Sequence, residues 1–254
     1  MRSRLRLPSR LGSACRSALL CAALVARSPT AFGYRPFDST DAAVAPPGEF
    51  ELELGPLGVL LNGSDQTLIA PAYVLNLGQA EGWEAVLQGR GQEALSSAAH
   101  RASFAGNGLF LKGVLRDGAL QDKAGPSVAT EFGLLLPGIH QESGVGASWA
   151  AIMSQRWSGL TLHLNTAVAL THEHRADLFV GSILEGPSDW RVRPVAEFFL
   201  EREFGTATIV SGLVGAIWRV REDLSFDLGL REASVNGHAV SEVRVGLTFG
   251  WTAW

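Results

Sequence analysis

The sequence predicts an all-β protein, a closed antiparallel transmembrane β-barrel of about twelve strands. Three observations predict it. Apolar residues recur with a period of two, the spacing of a strand with one apolar and one polar face. The 29 glycines are scattered through the chain, which weakens any helical reading. No stretch after the N-terminal leader holds about 20 consecutive apolar residues, so helical membrane spans are excluded on hydropathy.

Residues 1–33 read as a secretory signal peptide. Arg2, Arg4, Arg6, Arg10 and Arg16 form a basic leader, residues 18–26 (ALLCAALVA) a short apolar run, and Ala31-Phe32-Gly33 a set of small residues suited to cleavage. Cleavage is placed after Gly33, with Ala26 as the alternative. Both cysteines, Cys15 and Cys21, fall in this segment, so the remaining 221 residues contain no thiol. Removing the six arginines of the leader leaves 15 basic against 25 acidic residues, a net charge of −10, with Lys112 and Lys123 the only lysines. That balance argues against nucleic acid as a partner, because phosphate binding needs a basic footprint.

Residues 34–48 (YRPFDSTDAAVAPPG) read as a periplasmic N-terminal segment, a linker-like approach to a barrel spanning 49–254. Strand 1 is 49–54, where Phe50, Leu52 and Leu54 alternate with Glu49, Glu51 and Glu53. Strands 2 to 11 follow at 67–77, 83–90, 109–116, 127–136, 145–155, 160–171, 176–185, 190–202, 206–220 and 224–231. The last is 241–251, with Val243, Val245, Leu247, Phe249 and Trp251 on one face and Glu242, Arg244, Gly246, Thr248 and Gly250 on the other. An even count lets first and last strands close antiparallel, and closure removes the exposed edge that a terminal strand would otherwise present. Connections at 55–66, 91–108, 137–144 and 232–240 are expected outside, with short turns such as 78–82, 156–159, 186–189 and 221–223 on the periplasmic side.

Trp83, Trp157, Trp190, Trp218, Trp251 and Trp254 all fall beside a periplasmic turn or the terminus, and only Trp149 does not. Indole prefers the membrane interface, so these six are expected as an interface girdle. A terminal aromatic in phase with the apolar stripe is a signal for barrel-insertion machinery; Trp251 is in phase and Trp254 is not.

Residues Arg35-Pro36-Phe37, Thr40-Asp41-Ala42 and the run from Pro47 to Glu53 resemble the opening of the phenol-degradation (meta-cleavage pathway) family of bacterial outer-membrane proteins. The likeness continues at Asn76-Leu77-Gly78, Trp83 to Val86, Gly125-Pro126-Ser127 and Leu134 to Gly138, and departs from the family in the alanine-rich stretch 92–105. The resemblance implies an outer-membrane barrel acting as a transporter, with small aromatic or apolar solutes.

In the polar phase of the strands lie Glu49, Glu51, Glu53, Glu84, Lys112, Arg116, Glu131, His163, Arg191, Arg193, Glu197, Arg231 and Arg244, expected to line the lumen. The opposite phase is rich in Leu, Val and Phe. A soluble barrel would put the charges outside; alternation alone leaves the choice open, and the leader, the girdle and the missing cysteines favour lipid on the apolar face. The acidic row of strand 1 is expected to face Arg244, with Arg191 and Arg193 further round; paired charges would fill a narrow barrel and unpaired ones would line a water path. His172-Glu173-His174 reads as a solvated turn and not a metal site, against the usual three or four ligands of zinc. His163 with a strand serine such as Ser211 or Ser182 is a candidate hydrolytic arrangement, and nothing fixes an orienting third group. No cofactor is expected. The functional reading is a narrow passive channel for small solutes in contact with outer-membrane lipid; the alternatives are a non-conducting structural or surface-interaction barrel and an outer-membrane lipid or ester hydrolase.

Overall fold

The computed structural model describes residues 35–95, 102–140 and 142–252. The signal-peptide reading and Trp254 lie outside them. Twelve strands form one closed antiparallel barrel in which each strand pairs with its sequence neighbours and β12 pairs with β1. They are β1 (Glu49–Asn62), β2 (Asp65–Ala80), β3 (Trp83–Ala94), β4 (Ala102–Arg116), β5 (Ser127–Leu135) and β6 (Gly146–Arg156). Then come β7 (Thr161–Leu170), β8 (Ala176–Glu185), β9 (Val192–Glu203), β10 (Ala207–Arg221), β11 (Leu224–Val235) and β12 (His238–Thr252).

Three of the expected outer loops, 55–66, 91–108 and 232–240, are largely strand instead, with β3 running on to Ala94 and β4 starting at Ala102. The ladder between β1 and β12 shifts register between Leu54 and Leu57, around Pro56, and that between β2 and β3 shifts between Ile69 and Ala72, around Pro71. Proline has no N–H for the ladder, so the alternation breaks there and resumes beyond, up to a tight turn at Gly63. The 232–240 connection likewise shrinks to Asn236-Gly237, both with positive φ (50° and 87°), the conformation of a two-residue hairpin turn. The expected contrast between long outer and short periplasmic connections is therefore absent: the 117–126 connection, with a 3-10 turn at Ala119–Gln121, lies on the supposedly short side.

The wall is uneven in height. Strands β5 to β8 have 9 to 11 residues, about what one tilted crossing needs, while β1, β2, β4, β10 and β12 have 14 to 16. Exposure settles which face is outward. Val214 is 61% exposed, Phe198 56% and Leu230 53%, whereas Glu84 is 3%, Lys112 4% and Asp227 6%. Apolar residues form the outer surface and ionised ones the interior, the reverse of a water-soluble barrel and the arrangement that lipid demands.

Trp83, Trp157, Trp190, Trp218 and Trp251 gather at the base, the end where β1 begins and β12 stops. Trp251 stacks on Phe50 across the closing β1–β12 pair, centroids 5.3 Å apart. Trp149 stands outward on β6 with its indole N–H donated to Thr130 Oγ1 (2.9 Å), so its polar atom is satisfied on the apolar face.

Candidate functional site

The segment from Arg35 to Gly48, expected as a periplasmic approach, runs inside the barrel and follows the inner wall almost completely around. Traced backward from the base, Gly48 N donates to Gly78 O of β2 (3.0 Å), and Ala45 N to Glu84 of β3 (2.7 Å). Asp41 meets Lys112 of β4 (3.4 Å), and Ala42 N donates to Ser154 Oγ of β6 (2.9 Å). Thr40 exchanges two hydrogen bonds with Asn165 of β7 (3.1 and 2.7 Å). Asp38 N and Ser39 N both donate to the Glu197 carboxylate of β9 (3.0 and 2.7 Å). Arg244 of β12 donates to Pro36 O (2.7 Å), and Arg35 N donates to Glu53 of β1 (3.0 Å).

A segment without secondary structure leaves its N–H and C=O groups unpaired, and each must find a partner when buried. Here wall side chains supply them. Bulk has been removed to make room: a Cβ on Gly229 would lie 2.9 Å from Pro36, and one on Gly246 would enter the Arg35 guanidinium.

Charge is complementary between the segment and the wall. Asp38 sits between Arg244 (3.1 Å) and Arg231 (3.5 Å), which also share Glu242 (2.9 and 3.2 Å). Burial alone would raise the Asp38 carboxyl, but the two guanidinium groups outweigh it and hold the group below its usual value. Lys112 bridges Asp41 and Glu84, each at 3.4 Å, and Arg35 reaches Asp227 (3.7 Å). Ion pairs withdrawn from water are maintained only when both partners stay in place, so the segment and the wall hold each other.

Glu53, Glu84, Lys112, Glu131, His163, Arg193, Glu197, Arg231 and Arg244 all lie in the inward row, with Lys112 opposite Glu131 and Arg193 paired to Glu185 (3.3 Å). Glu49 and Glu51 are half-buried near the base. Arg116 and Arg191 are corrections: both are exposed at the base, Arg116 donating to Pro126 O and Arg191 in the β8–β9 connection outside β9. Arg244 does not face the acidic row either. It stands opposite Gly58, well beyond Glu53, which pairs with Thr248 and accepts from Asn76 (2.9 Å). His163 Nδ1 contacts Ser154 Oγ (2.7 Å) and not Ser211 or Ser182, and that hydroxyl accepts from Ala42 N, so the pair serves to hold the segment.

Below this ring of chain, toward the base, lies a cavity of about 630 Å³. Val44, Pro46 and Leu120 line it together with Arg156, Arg193 and Glu185. Gln121 closes its upper edge by donating to Ala42 O (3.1 Å).

No family model matches the chain, and no curated protein matches it. Solved structures do match. The COG4313 outer membrane channel from Pseudomonas putida F1 superposes with a TM-score of 0.58 at 11% identity, covering 85% of this chain and 99% of that one. The KdgM porin gives 0.50 at 10% identity, covering 78% and 98%. At such identities the likeness concerns the fold: this chain has the closed twelve-strand architecture of outer-membrane β-barrels.

Proposed function

We propose that the protein is a narrow passive channel of the bacterial outer membrane, carrying small solutes through a lumen that its own N-terminal segment constricts. The observation that carries this reading is a continuous polar interior inside an apolar outer wall, with a half-apolar cavity of about 630 Å³ under the constriction. A purely structural barrel has no need of such a vestibule. The two structural neighbours, a channel and a porin, support the same class. The preference for small aromatic or apolar solutes rests on the resemblance to the phenol-degradation family, and the apolar lining residues Val44, Pro46 and Leu120 suit it.

The paired charges around the ring favour a second reading, a barrel that does not conduct, because a filled and neutralised lumen offers ions little space. Reconstitution separates the two. A channel gives solute flux in liposomes that rises when residues 35–46 are deleted; a barrel that passes nothing in either form overturns the channel reading. Barrel-insertion machinery acting on the β12 end belongs to the same proposal, and removal of Trp251 is expected to slow assembly.

A further inference from the structure

We propose that the far end of β8–β10 is a binding site for a phosphate group of the phosphorylated glycolipid that fills the outer leaflet of an outer membrane, held by Arg202 and Arg175. The inference rests on the outer-membrane reading above and adds a lipid partner to it. At the end of the barrel opposite the tryptophan girdle, Arg202 stands in the outward, lipid-facing phase of β9. It lies across from Leu178 and Thr208, its guanidinium sits 5.2 Å from the centre of the Phe204 ring, and it has no carboxylate partner among the described residues.

An arginine in a lipid-facing row is costly unless it meets an anion or reaches water. Arg175 approaches the same turn from the β7–β8 connection, donating to Thr206 Oγ1 and to Gly205 O (3.4 Å). Two guanidinium groups thus converge on residues 204–206 of a protein whose residues 34–254 carry a net charge of −10.

Directly below Arg202 the wall is apolar and open: Val180 is 45% exposed, Leu200 42% and Val210 41%. Cations at the upper edge of a hydrocarbon surface match an amphiphile with acyl chains below and phosphate above. Guanidinium favours this chemistry because its planar fork binds phosphate oxygens in pairs. At the tryptophan end, by contrast, Arg221 is taken by Asp223 (3.0 Å).

The test is the thermal melting of the detergent-solubilised protein, read as disappearance of the compact gel mobility, with added diphosphoryl lipid A. Parallel samples receive the same lipid after removal of its phosphates, or phosphatidylglycerol. Diphosphoryl lipid A is expected to raise the midpoint of the wild type and neither control to do so, because only the bound state gains. In Arg175→Gln/Arg202→Gln the shift is expected to disappear, with apparent affinity weakened at least about tenfold for each charge-assisted hydrogen bond removed. Arg202→Gln alone keeps the test available if the double variant fails to fold, and Arg202→Lys is expected to fall between. Equal stabilisation by the dephosphorylated lipid or by phosphatidylglycerol, or a shift unchanged in the variants, overturns the proposal. A wild-type protein that shows no compact gel form and does not float with vesicles fails the membrane reading instead.

Discussion

Replacing Arg244 by alanine is expected to loosen the N-terminal segment without opening the barrel. In the wild type, Arg244 donates to Pro36 O at 2.7 Å, pairs with Asp38 at 3.1 Å and pairs with Glu242 at 2.9 Å. The Glu242 pair lies within the wall and persists whether the segment is docked or not, so its removal cancels. The two bonds to the segment remain. Each charge-assisted hydrogen bond is worth about 1.5–3 kcal/mol, and the lower figure applies because Arg231 still reaches Asp38 at 3.5 Å. The docked state is then weakened by about 3 kcal/mol, which raises the detached population about a hundredfold.

Ser39→Cys is a suitable reporter. Ser39 is 7% exposed, so a thiol there is shielded while the segment is docked, and serine-to-cysteine changes the side chain by one atom. Cys15 and Cys21, the only native cysteines, are changed to serine beforehand. Thiol labelling from a rapidly closing open state follows the open population, so Arg244→Ala is expected to speed it about a hundredfold while the folded gel mobility persists. An unchanged labelling rate would refute the reasoning that these bonds keep the segment docked.

Three further outcomes follow from the same geometry. Because the folded Asp38 carboxyl lies below its ordinary value, its contribution is present above the unfolded value of about 3.9 and disappears as pH falls through the lower folded one. Ser39→Cys labelling with an acid-tolerant pyridyl disulfide, normalised at each pH to a freely exposed thiol, should therefore rise as the pH falls below about pH 4. Gly246→Val places bulk where the Arg35 guanidinium lies and is expected to raise labelling and solute flux together; a variant with wild-type values of both would contradict the close packing there. Thr130→Val leaves the Trp149 indole N–H without its acceptor on the outer face and should lower stability by about 1 kcal/mol, measured by urea unfolding in bilayers.

The wall is legible from sequence because lipid on one side and water on the other impose a strict period of two. All twelve strands lie where alternation puts them, and the inward phase of Glu84, Lys112, His163, Glu197 and Arg244 is readable from the residues alone. The exceptions are local. Pro56 and Pro71 interrupt the pattern and make strand look like loop, while the Asn236-Gly237 pair is a hairpin signal that charge and glycine nearby obscure. The ring is hidden for a deeper reason. Residues 35–48 have no periodicity, and the partners that fix them stand as far as 208 residues away, as Arg244 does from Pro36. Only the pairing of Asp38 and Asp41 with an interior holding Arg231, Arg244 and Lys112 hints that an acidic segment belongs there.

The measurement that bears most directly on the whole account uses two neighbours on β10, Leu213 and Val214, which are 2% and 61% exposed. A spin label at each, in protein reconstituted into bilayers, is challenged with oxygen, which concentrates in lipid, and with a water-soluble nickel chelate. The label at Val214 is expected to collide freely with oxygen and hardly with nickel, and the label at Leu213 to be shielded from oxygen. Strong nickel collisions at Val214 would place water against the apolar row and contradict the reading of this chain as a membrane-spanning barrel.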